Sequence, residues 1–281
     1  MEGGSLMDNT LDMKYRNDAL VVQANELIRS TQDDLSLLEA KLIRLAISQI
    51  VATDTDMRTY TCDVSQLARY LGMTNNIYRE VGLLGKSIIK KSIYLIDKSK
   101  PPKRTGEWNY KIFNWVDYFE YNSGKITIRL NDQLKPYLIG LDALFTKYGY
   151  DSILKLPTSN SIRLYELLLS YDSVVNVHRH SFIPSTIFPE VERSENELIF
   201  SIGYLKKYFD CIGKYDRDRD FIKRVIDSSV KAINSSSPTY RVSYRTAKQG
   251  RKIGYVLFKI NEWADNDFID FLSKGIEERK G

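Results

Sequence analysis

The stretches VSQLARYL at 64–71 and IGYLKKYF at 202–209 follow one pattern, and this self-similarity limits the possible folds more than any other feature of the chain. Val64, Leu67 and Leu71 match Ile202, Leu205 and Phe209 at the spacing of a helix that buries one face, and Tyr70 matches Tyr208. A strand-like run, TYTCDV or ELIFSI, precedes each helix, with Asp63, Ser65 and Ser201 as candidate N-caps. A chain of 281 residues that repeats a unit in this way has the length for two cores of ordinary size.

The match continues in order. IYREVGLLGKSIIKKSIYLI at 77–96 and DFIKRVIDSSVKAIN at 220–234 both read as longer amphipathic helices, with Val81, Leu84, Ile88 and Ile89 corresponding to Ile222, Val225, Ser229 and Val230. Breakers follow, KSKPPKRTGE in the first copy and SSSP in the second. Then come paired strand-like runs, NYKIFNWV with KITIRLN and TYRVSYRT with YVLFKIN, in which Tyr110, Ile112, Ile128 and Leu130 match Tyr240, Val242, Phe258 and Ile260. LIRL at 42–45 and SIRL at 161–164 echo each other ahead of the two units. Helices closed by a β-hairpin, with a turn between the second and third, define a winged helix. The predicted class is therefore α+β, mainly helical, with tandem winged-helix domains related by internal duplication. The predicted boundaries are a flexible leader over 1–17, domains over 18–145 and 146–265, and a C-terminal helix or tail over 266–281. FTKYGYDSILKLPTSN at 145–160 reads as the linker.

Charge separates the two copies. The chain's formal net charge is only +5, yet the segment from Gly203 to Lys259 holds fourteen Lys or Arg against five Asp, and Arg58 to Arg104 holds ten against three acids. Clusters of this kind suit phosphate-binding surfaces. In KYDRDRDFIKRVIDSSVKAIN at 214–234, Phe221, Ile222, Val225, Val230 and Ile233 form the predicted core face, while Arg217, Arg219, Lys223 and Arg224 crowd the front. Cations there oppose the helix dipole by ~0.3–1 kcal/mol each. Asp216, Asp218 and Asp220 offset this in part, one as a cap and the others holding the arginines. The second wing carries Arg241, Arg245, Lys248, Arg251 and Lys252 without an acid; the first balances its lysines with Asp117 and Glu120 and is loaded with Trp115, Tyr118, Phe119 and Tyr121. The second thus suits DNA, with Lys206 and Lys207 on the preceding helix as further phosphate contacts, and the first suits packing on protein. Arg79, Lys86, Lys90 and Lys91 are candidates for auxiliary DNA contact.

Other chemistries find little support. Cys62 and Cys211 have no CxxC companion, so neither a disulfide framework nor a zinc site is implied, and a reducing, cytoplasmic setting is expected. No apolar run reaches the ~20 residues of a membrane span, and the N-terminus lacks a signal-peptide profile. A DNA-cleaving enzyme that works through a covalent tyrosine needs a metal on a His-hydrophobe-His strand and a tyrosine nucleophile. The only histidines, His178 and His180, flank Arg179, and none of the nineteen tyrosines stands out. Phosphate-cradling glycine motifs are absent. The reading is of a DNA-binding protein, not an enzyme, with no cofactor or metal.

In this order the segments NDALVVQANELI, LSLLEAKLIRLAISQI, SNSIRLYELLLSY and FIKRVIDSSVKAIN resemble the theta-type plasmid replication initiators, the Rep proteins that bind iterons through two winged helices. The resemblance runs from about Asn17 to Asn261. It implies a protein that binds directly repeated double-stranded sites at a plasmid origin, helps open the duplex and recruits a host helicase with host initiator and chaperones. As a dimer in equilibrium with monomer, it would also repress its own promoter at an inverted repeat. It further implies that the first domain serves dimerisation and auxiliary contact and the second makes the main base contacts. The PPKRTGE insert departs from that pattern. A winged-helix transcription regulator without initiator activity is the alternative, distinguished by whether repeated sites lie beside the coding region.

Overall fold

The computed structural model describes residues 10–16, 18–97, 104, 109–177, 197–236 and 240–262. These divide into two compact units, 1–154 and 155–281.

In the first unit the central helix α2 (Leu37–Ile47) follows three short strands, β1 (Thr10–Asp12), β2 (Leu20–Ala24) and β3 (Thr31–Gln32), and the single turn α1 (Asn25–Ile28). A capping box starts α2: Ser36 accepts from the Glu39 amide at 3.3 Å and the Glu39 carboxylate accepts from the Ser36 amide at 2.7 Å. Strand β4 (Thr59–Asp63) then leads into α3 (Val64–Leu71) and α4 (Ile77–Ile88). Asp63 occupies the N-cap position of α3 without a side-chain capping bond. After α4 come β5 (Ser92–Asp97), β6 (Asn109–Asn114), β7 (Val116–Asn122) and β8 (Lys125–Leu130). The unit closes with α5 (Lys135–Leu138), β9 (Phe145–Gly149) and α6 (Tyr150–Leu154).

The second unit repeats the central part. Thr158 and Ser161 exchange side-chain and backbone hydrogen bonds at the start of α7 (Ser159–Val177). Strand β10 (Glu197–Ser201) runs into α8 (Ile202–Tyr208), which Ser201 caps by accepting from the Tyr204 amide. A longer helix follows in three parts: α9 (Asp218–Phe221), a π-helical segment (Ile222–Asp227) and α10 (Ser228–Ser236). The wing is β11 (Tyr240–Gln249) with β12 (Lys252–Glu262).

The two units share one strand order. In the first unit β4 pairs with β8 and β8 with β7; in the second β10 pairs with β12 and β12 with β11, all antiparallel. Ile128 faces Tyr60 and Phe119; Phe258 faces Leu198 and Tyr244. Both are fully buried. Two winged helices in tandem are thus present, each with its wing sheet tied to the strand that precedes its second helix.

Several sequence expectations need correction. Residues 10–16 are not a loose leader: β1 lies parallel to β4, Met13 is buried, and the Lys14 backbone exchanges hydrogen bonds with the Gln49 amide. The helix expected over 77–96 stops at Ile88, and SIYLID becomes β5, because Ile93 and Leu95 are buried on one side while Tyr94 is exposed on the other. β5 pairs with β3 and β6, so β6 is not a wing strand, and the true partner of β8 is β7. The matches of Tyr110 and Ile112 with Tyr240 and Val242 therefore fail. The supposed linker is largely β9 and α6; β9 pairs with β2, which places it in the first unit. His178, His180, the tail 266–281 and most of the PPKRTGE insert lie outside the described residues.

Wing and helix approach closely in the first unit. A Cβ built on Gly85 of α4 would lie 2.2 Å from Cε1 of Phe119 on β7, whereas one on Gly82 of the same helix meets nothing within 4 Å. Gly85→Ala is expected to destabilise by about 1–3 kcal/mol through overpacking. Gly82→Ala is expected to stabilise by up to about 1 kcal/mol through helix propensity. Thermal unfolding of the two variants beside the parent checks both signs.

Candidate nucleic-acid interface

The long helix of the second unit is set by its apolar face. Phe221 is fully buried, with Phe209 and Tyr215 ring centroids at 6.3 and 5.9 Å, and Ile222, Val225, Val230 and Ile233 are buried behind it. Its outer face exposes Arg219, Lys223 and Arg224, with exposed Arg217 just before it. None of these four side chains has a hydrogen bond or ion pair among the described residues. The expected part for the aspartates is not seen. Arg217 itself occupies the N-cap position, without a side-chain cap bond. Asp218 binds Lys206 Nζ at 2.8 Å instead of an arginine.

That ion pair changes the role of Lys206. Its ammonium, which also donates to the Tyr215 carbonyl at 3.4 Å, ties α8 to the start of the next helix. Lys207 beside it is exposed. A helix-turn-helix needs such a tie, because the angle between its helices decides what the outer face presents.

The wing tip is basic and open. Gly250, at φ +62°, makes the turn between β11 and β12, and Lys248, Arg251 and Lys252 around it are exposed. Arg245 stands apart. Its guanidinium binds both oxygens of Glu197 on β10, at 2.7 and 2.8 Å. Strand alternation explains this: Tyr244 reaches toward Asp227 on the long helix, its hydroxyl donating over 3.4 Å, so Arg245 points from the opposite face of the sheet.

Asn234 gave no signal in the sequence. Its side-chain amide donates to the Val242 carbonyl at 2.8 Å and accepts from the Val242 amide at 2.7 Å, as a strand would. The end of the helix is thereby fixed to the root of the wing.

The first unit offers a weaker surface. Arg79 and Lys86 are exposed on α4, and Lys90 just beyond it, but Lys91 is half-buried, donating to the Asp34 carbonyl at 2.5 Å with the Glu39 carboxylate at 3.9 Å. Its wing is self-neutralised: Arg129 binds Asp117 at 3.0 Å and Asp132 at 2.5 Å. Burial pushes the Asp117 carboxyl above its ordinary range, opposed by the Arg129 guanidinium. Of the four wing aromatics, Trp115 is fully buried and the Phe119 ring lies against Gly85, leaving Tyr118 and Tyr121 exposed.

Cys62 and Cys211 are buried and free, and burial pushes the Cys62 thiol up to about 12, far from a reactive thiolate. Among the described residues no group of His, Cys, Asp and Glu could hold a metal, and no helix is long and apolar enough to cross a membrane.

Tandem winged helices, one presenting a basic outer helix and a basic wing tip, define the class of nucleic-acid-binding winged-helix proteins. Residues 20–169 match the family model described as Initiator Replication protein, WH1, and residues 201–260 match Initiator Rep protein, WH2. The chain belongs to this replication initiator family. A replication initiation protein of Escherichia coli is 24% identical over 247 residues, covering 87% of this chain and 70% of that protein. The fold is also that of the Pi initiator protein, solved in complex with iteron DNA, with a TM-score of 0.61 at 16% identity over 89% of this chain and 100% of that one.

Replacing Asn234 by Ala leaves the Val242 N–H and C=O without their partners. A loss of about 1–3 kcal/mol is expected from an unmet buried polar group. Thermal unfolding measures it.

Proposed function

We propose that this chain initiates plasmid replication by binding directly repeated double-stranded sites at an origin, with the second unit as the main reader of sequence. One observation carries this reading beyond family membership. Arg217, Arg219, Lys223 and Arg224 stand exposed and unpaired at the helix that a winged helix offers to the major groove. Arginine reads guanine through two parallel hydrogen bonds, each good pair contributing ~1–3 kcal/mol of discrimination. Lys207, Lys248, Arg251 and Lys252 supply phosphate contacts, whereas Lys206 and Arg245 serve by holding the scaffold.

In the first unit Arg79, Lys86 and Lys90 add contacts to the backbone, and Lys91 stays with its own fold. The same reading includes repression of the chain's own promoter as a dimer on an inverted repeat, with the first unit carrying the self-contact. It includes recruitment of a host initiator, helicase and chaperones. The work is done by binding and deforming DNA.

Footprinting of the purified protein across its own upstream DNA tests the reading: regularly spaced protection over direct repeats is expected, and protection of an isolated operator alone points to a regulator instead. Replacing Arg217 or Arg219 by Ala is expected to flatten sequence preference in a competition assay; unchanged preference removes that residue from base readout. Replacing Lys248 and Arg251 together is expected to weaken all duplexes alike. With six to ten phosphates neutralised, affinity falls ~10³–10⁵ between 50 and 200 mM salt, and the double variant should lower that slope by about two contacts.

A further inference from the structure

The two outward helices are wound differently. In α4 the buried positions Val81, Leu84, Gly85 and Ile88 follow the α-helical interval. In the second unit the buried residues come as pairs: Phe221 and Ile222, Val225 and Ile226, then Ser229 and Val230 lie four apart, and the interval shortens to three at Ala232 and Ile233. At the α-helical ~100° per residue, a stripe repeating every fourth residue turns by ~40° at each step and leaves the core within three steps. The π-helical segment Ile222–Asp227, which closes wider turns, offsets that drift and keeps the three pairs from Phe221 to Val230 buried.

The outer face inherits the correction. Arg219, Lys223, Asp227 and Lys231 form one row and Asp220, Arg224 and Ser228 the next, also four apart. The wide turns hold these rows straight along the helix, so the cations at its front keep a fixed angle to Asp227, which receives the Tyr244 hydroxyl from the wing and Lys231 at 2.8 Å. Wide turns leave backbone carbonyls poorly matched to amides four residues on. Here Ser228 intervenes: its hydroxyl lies 2.9 Å from the Arg224 carbonyl and 3.2 Å from the Lys223 carbonyl. The two residues whose carbonyls it engages are two of the candidate readers.

We infer that Ser228 is a positioning residue for sequence readout, its hydroxyl holding the π-helical turn that aims Arg219, Lys223 and Arg224. The inference rests on the reading that this helix enters DNA. When the hydroxyl is removed the wide turn loses its brace and opens more readily, so the front of the helix is no longer held at one angle to the wing and base discrimination falls while phosphate contacts survive.

Ser228→Ala and Ser228→Thr, in the full chain, test it through two measurements. The first is amide hydrogen exchange over 222–228 in the free protein. Alanine is a better helix former than serine, so a bystander Ser228 predicts exchange unchanged or slowed in the Ala variant. The inference predicts faster exchange, restored by Thr, and unchanged or slower exchange overturns it whatever happens on DNA. The second is affinity for an origin-repeat duplex against a scrambled duplex at fixed salt. A fall of about tenfold in that ratio is expected for Ala, the weight of one base contact, with scrambled binding and salt slope retained and Thr rescuing the ratio. An unchanged ratio, or equal loss on both duplexes, overturns the positioning role. A parent protein that does not distinguish the two duplexes overturns the DNA reading itself, separately from the exchange result.

Discussion

Each unit is organised around a buried guanidinium set against an aromatic ring. Arg163 on α7 is almost fully buried, its guanidinium carbon 3.9 Å from the Tyr208 ring centroid. It donates to the Tyr208 carbonyl at 2.9 Å, and the Tyr208 hydroxyl donates back to the Arg163 carbonyl at 2.9 Å. Arginine stays charged at any ordinary pH, and burying a charge costs several kcal/mol unless its donors and face are met. The ring and carbonyl of Tyr208 answer these demands in part and so tie α8 to α7. The angle of α8 then sets Lys206, Lys206 sets Asp218, and Asp218 begins the basic helix.

The first unit solves the same problem with other parts. Arg44, at the matching place in LIRL, lies 5.3 Å from the ring centroid of Trp115. Trp115 sits between β6 and β7, where the chain leaves one sheet for another, and its backbone bonds both Lys91 and Asn131. The two units therefore share the buried charge and differ in its aromatic partner. Their surfaces differ as well, one wing closing its charges on itself and the other leaving its tip open.

Much of this was legible because burial of one face imposes a period. The matched helices α3 and α8, and the alternation of β8 and β12, follow from that rule alone. SIYLID escaped it because its isoleucines continue the apolar interval of α4 well enough to pass as helix, and only pairing with β3 and β6 made it a strand. β1 escaped because three residues cannot show a period, and its parallel partner lies far along the chain. The four-residue interval of the second outward helix was present in the sequence, yet which backbone would accommodate it was not.

By itself, the sequence determined that the chain is built twice, which faces are buried, and that the second copy carries the larger excess of positive charge. These depend on residue type and local spacing. The tertiary structure alone decided which cations are available. Glu197, Glu39 and Asp218 claim Arg245, Lys91 and Lys206, while Arg217, Arg219, Lys223 and Arg224 are left facing outward. Coulomb attraction depends on distance through space, and folding sets that distance between residues the linear order keeps apart.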